Sequence, residues 1–194
     1  MTDAGASPEP IVRWDEFIRL DEDDLRELID GRLVELEVPD YEHGRIVGLL
    51  VYYLQAWVLP RDAGVVLSSG YKIRISDLRG VMPDVQYLSH ETAAKAGQLG
   101  MQEGRPDLAV EVISPTSRRY DRVTKLAWYA SIGVPEYWLV DRDARIIERL
   151  VLTPEGYVIA QTAAEGDFQP ASFEGLSIPL TALFPEEGSE GQPD

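Results

Sequence analysis

Two acidic residues lie inside apolar segments of this sequence, where a carboxylate needs a partner. Glu111 lies within the apolar segment 107–113, and Asp84 lies within the segment 81–88. An unpaired carboxylate in a buried strand is strongly disfavoured, so Glu111 requires a cation, a hydrogen-bond network or a metal ion. The chain has no cysteine, so a metal site here would use oxygen ligands, which suits Mg²⁺ or Mn²⁺. The alternatives are an arginine ion pair for Glu111 and a strand-end or turn position for Asp84, which directly follows Pro83.

A basic segment follows the strand that carries Glu111. Residues 114–125 contain four bases and one acid. On a helix, Asp121 and Lys125 lie one turn apart on a face different from the apolar one, so Lys125 can project toward the strand end near Glu111. A lysine beside a metal ion can stabilise charge that develops on a phosphate. The alternative is an exposed Asp121–Lys125 ion pair, worth about 0.3–0.5 kcal/mol.

The charge of the chain is distributed unevenly. The 194 residues have a formal net charge of −16, which argues against binding nucleic acid by general electrostatic attraction. Residues 1–40 hold 13 acids and 4 bases, and residues 150–194 hold 8 acids and no base. Residues 41–149 hold 13 acids and 14 bases. The middle of the chain is therefore free to bind a polyanion, while the acidic ends are typical of a solubilising surface.

Length and composition predict one domain. We expect a body at 13–185 between loose tails at 1–12 and 186–194, which lack periodic apolar residues. The start of the chain lacks the basic and apolar regions of a signal peptide, and the longest apolar run, 46–59, is interrupted by glycine and glutamine. These features predict a cytoplasmic protein with no membrane partner.

The elements that must position the acidic and basic residues follow from apolar periodicity and turn residues. Together they predict an α/β fold with a mixed central sheet flanked by helices. The predicted helices are 23–29, 44–58 and 121–132, and the predicted strands are 31–38, 65–68, 71–75, 81–88, 107–113, 136–141, 145–152 and 157–162.

Several ordered motifs resemble the Uma-two family of restriction-endonuclease-like proteins. They are Glu27-Leu28-Ile29-Asp30-Gly31, Glu42-His43-Gly44, Pro83-Asp84-Val85, residues 106–115, the set Asp121, Lys125 and Tyr129, and residues 133–141. The resemblance covers roughly residues 14–184 and is specific because several motifs match in order. It implies the PD-(D/E)XK nuclease fold, with Mg²⁺-dependent phosphodiester hydrolysis as the usual activity.

The resemblance also implies a set of site residues. Asp84 and Glu111 would be metal ligands, with the backbone carbonyl of Val112 as a third oxygen. Ile113 stands where the superfamily has its lysine, and Lys125 on the following helix is the candidate replacement. Glu27, His43 and Asp121 would be accessory residues. The alternative for Glu27 is a position on a helix surface. The alternative for His43 is a capping or packing role. Arg118, Arg119 and Arg122 would guide the nucleic-acid backbone.

These assignments favour a single-domain, Mg²⁺- or Mn²⁺-dependent endonuclease that acts on DNA. Three or four bases give modest affinity, so we expect a homodimer, with exposed aromatic residues such as Trp138 or Tyr157 as a self-association surface. The alternative is a catalytically inactive nuclease fold that serves as an interaction or scaffold module. The acidic ends and Ile113 at the lysine position favour that alternative.

Overall fold

The computed structural model describes residues 10–21, 24–35, 39–68 and 70–185. The predicted C-terminal tail and residues 1–9 of the predicted N-terminal tail lie outside the described residues.

A six-stranded mixed sheet forms the centre of the fold. In spatial order its strands are β11 (Gly156–Ala163), β10 (Ile146–Thr153), β9 (Glu136–Asp141), β8 (Leu108–Ile113), β6 (Val85–Leu88) and β3 (Val65–Ser68). Strands β8 and β9 are parallel, and the other neighbouring pairs are antiparallel. Every residue of β8 and β9 is buried, as expected for strands in the middle of a sheet. The predicted fold class is confirmed.

A smaller mixed sheet packs beside the first. Its order is β2 (Arg32–Val34), β1 (Glu27–Ile29), β5 (Arg79–Val81), β4 (Lys72–Ser76) and β7 (Gly100–Met101). A separate antiparallel pair consists of β12 (Asp167–Phe168) and β13 (Ile178–Pro179).

One long helix and several short ones pack against the strands. They are α1 (Trp14–Phe17), α2 (Tyr41–Val58), α3 (His90–Ala93), α4 (Leu126–Ser131) and α5 (Leu180–Leu183), with a 3-10 turn at Leu59–Arg61 and a π-helical stretch at Tyr120–Lys125. Helix α2 packs its apolar side on the face that includes Val110 and Val112. The opposite face, which includes Ala109 and Ile113, is covered by α4 and by the small sheet. Within the described part of the chain, no helix combines the length and the apolarity that crossing a membrane requires.

Helix α2 confirms the predicted helix at 44–58 but begins three residues earlier. The side chain of Asp40 accepts a hydrogen bond from the backbone N–H of His43 at 2.8 Å, which caps the first turn. This cap fixes His43 in the first turn of α2.

The predicted helix at 23–29 is wrong. Glu27–Ile29 is strand β1, which pairs with β2 through a two-residue turn at Asp30 and Gly31. Both turn residues have positive φ angles, 49° and 79°. The Asp-Gly dipeptide is a strong signal for such a hairpin, and it outweighs the local helical pattern.

Two further elements differ from the sequence prediction. The single strand predicted at 81–88 is two strands, β5 and β6, which belong to different sheets. The chain changes sheets at Met82, Pro83 and Asp84, where Pro83 has no N–H for a strand ladder. The helix predicted at 121–132 is confirmed, but its first part is π-helical rather than α-helical.

The exposed aromatic surface expected for self-association is also corrected. Trp138 is fully buried in the core, because β9 lies in the middle of the large sheet. The hydroxyl of Tyr157 is also engaged within the fold, because it donates a hydrogen bond to the backbone carbonyl of Val134 at 2.6 Å.

Candidate functional site

A cavity of about 880 Å³ brings most of the predicted site residues together. Its lining comes from the small sheet, the start of α2, the strand break before β6, the end of β8 and the π-helical stretch. Seven of the ten predicted residues line it: Glu27, His43, Asp84, Glu111, Val112, Asp121 and Lys125. Arg118, Arg119 and Arg122 do not.

Glu111 lies near the end of a strand that is buried on both faces. Its side chain is almost inaccessible, and Oε1 accepts a hydrogen bond from the hydroxyl of Tyr129 at 2.7 Å. The same oxygen lies 2.9 Å from Nζ of Lys125. The partner is therefore the predicted lysine and not an arginine. Burial raises the pKa of Glu111 well above its usual range, although Lys125 acts in the opposite direction.

Lys125 is shared by three carboxylates. Its Nζ lies 2.9 Å from Glu111, 3.2 Å from Glu27 and 3.7 Å from Asp121. Burial alone lowers the pKa of Lys125, but the three acids outweigh burial and raise it well above its usual range. Lys125 is therefore charged. The exposed Asp121–Lys125 pair that spacing allowed is excluded, because both side chains are buried.

Glu27 takes part in this cluster from a strand rather than from a helix. Its side chain is fully buried, which overturns the helix-surface alternative. Besides Lys125, it accepts hydrogen bonds from the backbone N–H of Met82 at 3.2 Å and from the hydroxyl of Tyr120 at 2.7 Å. Glu27 thus connects the small sheet, the strand break and the π-helical stretch.

Asp121 is the third carboxylate on Lys125. It is 3% exposed, and burial raises its pKa while Lys125 opposes that shift. Its backbone carbonyl accepts a hydrogen bond from the hydroxyl of Tyr137 at 3.2 Å. The π-helical turn thereby presents Asp121 and Lys125 to the cavity, and such turns are frequent at functional sites.

Asp84 is held on both of its oxygens at the strand break. Oδ2 accepts the backbone N–H of Val112 at 2.7 Å, and Oδ1 lies 3.1 Å from Nε2 of His43. Burial lowers the pKa of His43, but Asp84 raises it by more, so the net shift is upward. These contacts tie Asp84 to the residue that follows Glu111 and to the first turn of α2.

The arginines expected to guide DNA have other contacts. Nη2 of Arg118 and Nη2 of Arg122 lie 3.1 and 3.3 Å from the two carboxylate oxygens of Asp141. Arg122 also contacts Glu148 at 2.5 Å. Arg119 is exposed and has no hydrogen bond or ion pair with the described residues. Two of the three arginines are therefore engaged in the fold.

The donor chemistry of the cavity fits a hard divalent cation. Glu27, Glu111 and Asp121 share a single ammonium, so the cluster holds more acidic groups than basic ones. Among the described residues no group of three or more histidine and acidic side chains is arranged to hold a metal ion. Mg²⁺ requires less, because it is commonly held by one or two carboxylates together with waters and substrate oxygens.

Tyr129 is a contact that sequence reasoning did not assign. It belongs to the motif of Asp121 and Lys125, and its spacing of four residues from Lys125 was the available signal. Arg142 and Arg26 also line the cavity and were not selected. Each is an arginine next to a strand end, a feature that carries no signal without the tertiary structure.

Comparisons with known proteins identify the family and the fold of the chain. The family model for Uma2, described as a putative restriction endonuclease, matches residues 14–181. A solved structure described as a putative nuclease belonging to DUF820 from Anabaena variabilis has a TM-score of 0.70 and 19% identity, and the match covers 89% of this chain and 97% of that chain. At this identity the likeness shows the fold. No curated protein matches. Because the family model spans most of the sequence, the chain belongs to the Uma2 family.

Proposed function

We propose that this chain is a metal-dependent endonuclease that hydrolyses DNA phosphodiester bonds. One observation carries the proposal: Asp84 and Glu111 line one cavity together with a buried lysine that contacts Glu111. The family match supports a nuclease function in general. DNA as the substrate and Mg²⁺ or Mn²⁺ as the cofactor are the finer parts of the proposal.

Five residues of the cavity have a role in this proposal. Asp84 and Glu111 would hold the ion, with the carbonyl of Val112 as a further oxygen. A divalent ion there supplies charge that neutralises the phosphate and lowers the pKa of a water molecule. Lys125 remains charged and would stabilise negative charge that develops on the phosphate. His43 holds Asp84 in place through Oδ1.

Cleavage assays test the proposal. Supercoiled and single-stranded DNA are incubated with Mg²⁺ or Mn²⁺ and with wild type, Asp84→Asn or Glu111→Gln. We expect both variants to lose activity on the order of 100-fold or more, since a bound metal contributes several kcal/mol to transition-state stabilisation. Glu155→Gln is the matched control, because Glu155 is an exposed acid in the turn before β11. Wild type that cuts neither DNA, or site variants that cut like the control, would refute the proposal.

A non-catalytic interaction role is the second candidate. The observation in its favour is that Lys125 already partly neutralises Glu111, so the cluster has an internal cation. Calorimetric titration with Mn²⁺ separates the two candidates. The endonuclease proposal expects binding heat in wild type that is lost in Glu111→Gln, whereas equal heats in the two proteins favour the interaction role.

Two further assignments stay predictions. A homodimer would present two cavities to the two strands of a duplex, and light scattering of the purified chain measures its mass directly. The cytoplasmic location is the other, and fractionation of cells that express the chain tests it.

A further inference from the structure

Cations are few in the lining of the cavity. Seven acids line it, and three basic residues, Arg26, Lys125 and Arg142, do so among the described residues. Lys125 is committed to the buried acids. Within the described lining, Arg26 and Arg142 are the two basic residues left for a phosphate that flanks the reacting one. The lining acids are Asp24, Glu27, Glu35, Asp40, Asp84, Glu111 and Asp121.

Arg142 is anchored through one nitrogen and leaves two others available. Its Nη1 lies 2.6 Å from both oxygens of Asp40. Its Nε and Nη2 donate no hydrogen bond to the described part of the chain, and neither is a buried, unpaired atom. The guanidinium is thus fixed in position with free donors that remain accessible.

Arg26 has the same arrangement on the small sheet. Its Nε and Nη2 donate to Asp24 at 2.9 and 2.5 Å. Its Nη1 donates no hydrogen bond to a described residue and is likewise accessible. Both arginines therefore have an aspartate that fixes the side chain and at least one nitrogen without a hydrogen-bond partner among the residues that the structure describes.

The strand register places Arg142 close to the acids of the site. Strands β8 and β9 are parallel, and Ile113 is the register partner of Asp141. Arg142 follows Asp141 directly, at the same sheet end as Ser114, three residues after Glu111. Arg26 directly precedes Glu27, whose carboxylate contacts Lys125. Each arginine is thus close in the fold to the acid–lysine cluster.

We propose that Arg26 and Arg142 bind backbone phosphates of the nucleic acid next to the bond that is cleaved. This inference rests on the proposed nuclease function and names its substrate-binding groups. An anchored guanidinium suits the task, because it presents fixed N–H donors that match phosphate geometry and has lost its side-chain freedom before the substrate arrives. The adjacent aspartates reduce the net attraction, so each contact contributes mainly through directed hydrogen bonds.

DNA binding, measured separately from cleavage, tests the inference. Fluorescence anisotropy of labelled single-stranded and duplex oligonucleotides in Ca²⁺ gives the Kd of wild type, Arg26→Gln, Arg142→Gln and Arg32→Gln. Arg32 is the matched control, because it is an exposed arginine on β2 outside the cavity lining. We expect Kd to rise about tenfold for each cavity variant. The slope of log Kd against log salt should fall by less than about 0.7–0.9 for each, because the adjacent aspartate already offsets part of the arginine's charge.

Asp40→Asn distinguishes phosphate binding from a structural role of Arg142. Asparagine still caps a helix, so α2 keeps its first turn. If Arg142 binds phosphate, removing the nearby negative charge leaves Kd unchanged or lowers it. If Arg142 merely tethers Asp40, Asp40→Asn and Arg142→Gln weaken binding alike, and the inference is overturned.

The results also separate this inference from the proposed hydrolysis. The inference is overturned if the Kd values of Arg26→Gln and Arg142→Gln equal that of Arg32→Gln. It is also overturned if wild type binds no DNA. Both results count against it even when wild type cleaves DNA. Selective weakening by Arg26→Gln and Arg142→Gln supports it, even when wild type proves unable to cleave and the hydrolysis proposal fails.

Discussion

Two buried carboxylates on neighbouring parallel strands have very different surroundings. On β9, Glu136 is paired one to one with Arg149: its two oxygens accept from Nε at 2.9 Å and Nη2 at 2.8 Å. Its Oε1 also accepts the indole N–H of Trp138 at 2.6 Å. On β8, Glu111 shares Lys125 with two other acids and borders a cavity.

The difference separates a structural ion pair from a candidate reactive site. A carboxylate that faces one guanidinium in a two-pronged pair has its charge and its lone pairs matched within the protein. Three carboxyl groups that share one ammonium are not matched one to one, and a divalent ion could supply the further positive charge. Both carboxylates are buried, so burial by itself does not distinguish the two roles.

Removing the cation that pairs with each carboxylate should have the largest effects on stability and tests most directly whether the two sites differ. Lys125→Met leaves Glu111 without its cation, and Arg149→Met leaves Glu136 without its cation. We expect each change to lower the free energy of unfolding by about 3–5 kcal/mol. Mn²⁺ should restore part of the loss in Lys125→Met, because an ion held by Asp84 and Glu111 would replace the missing positive charge beside Glu111. Urea unfolding with Mn²⁺ and with a chelator measures both effects. An equal response of both variants to Mn²⁺ would contradict the distinction.

Removing a single tyrosine hydroxyl should reduce stability by less and tests the contribution of one hydrogen bond at the site. Tyr129→Phe deletes the donor to Glu111, and Tyr137→Phe deletes the donor to the backbone carbonyl of Asp121. Both tyrosines are fully buried and their rings are in contact, so each change should cost about 1 kcal/mol of stability. Only Tyr129→Phe should alter the heat of Mn²⁺ binding and the cleavage rate. The same shift in Tyr137→Phe would show a general packing effect.

The smallest effect should come from the exposed pair of Asp40 and Arg142, which extends the comparison to the surface. Arg142, together with the His43 N–H, lowers the pKa of Asp40 below its ordinary value of 3.8. The stability that this pair contributes is therefore present above pH 3.8 and is lost as the pH falls through the lowered pKa. We expect the free energy of unfolding of wild type at pH 7 to exceed that of Asp40→Asn by less than about 1 kcal/mol.

Urea unfolding of the two proteins from pH 7 to pH 3 tests this expectation. The difference between them should shrink only at the acid end of the series. A difference that persists undiminished at pH 3 would assign the effect to the helix cap rather than to the charge of Asp40.

Local patterns predicted some parts of the fold much better than others. The apolar run of β8 and the amphipathic spacing of α2 identified both elements, because burial acts on residues close together in sequence. Strand β1 lies where the local pattern predicts a helix, although Asp30-Gly31 carries the hairpin signal, whereas β2 lies within the predicted strand 31–38. The change of sheets at Pro83 was not predictable, because it depends on which distant strands β5 and β6 pair with.

The candidate site shows the same division. Asp84, Glu111 and Lys125 could be selected from the sequence, because an acid in an apolar run and a base after it are chemically unusual. The contact of Glu27 with Lys125 joins residues 98 positions apart and connects the small sheet to the π-helical stretch. The engagement of Arg118 and Arg122 by Asp141 also depends on strand packing, since local sequence cannot tell a free arginine from a paired one.

The chemical types available to the site follow from the amino-acid sequence alone: oxygen ligands without thiols, a lysine after the central acidic strand, and family motifs in order. Which of these charges meet depends on the folded arrangement. Charge pairing depends on distances of 3–4 Å between side chains from separate elements, and those distances are set by sheet register and helix packing rather than by spacing along the chain.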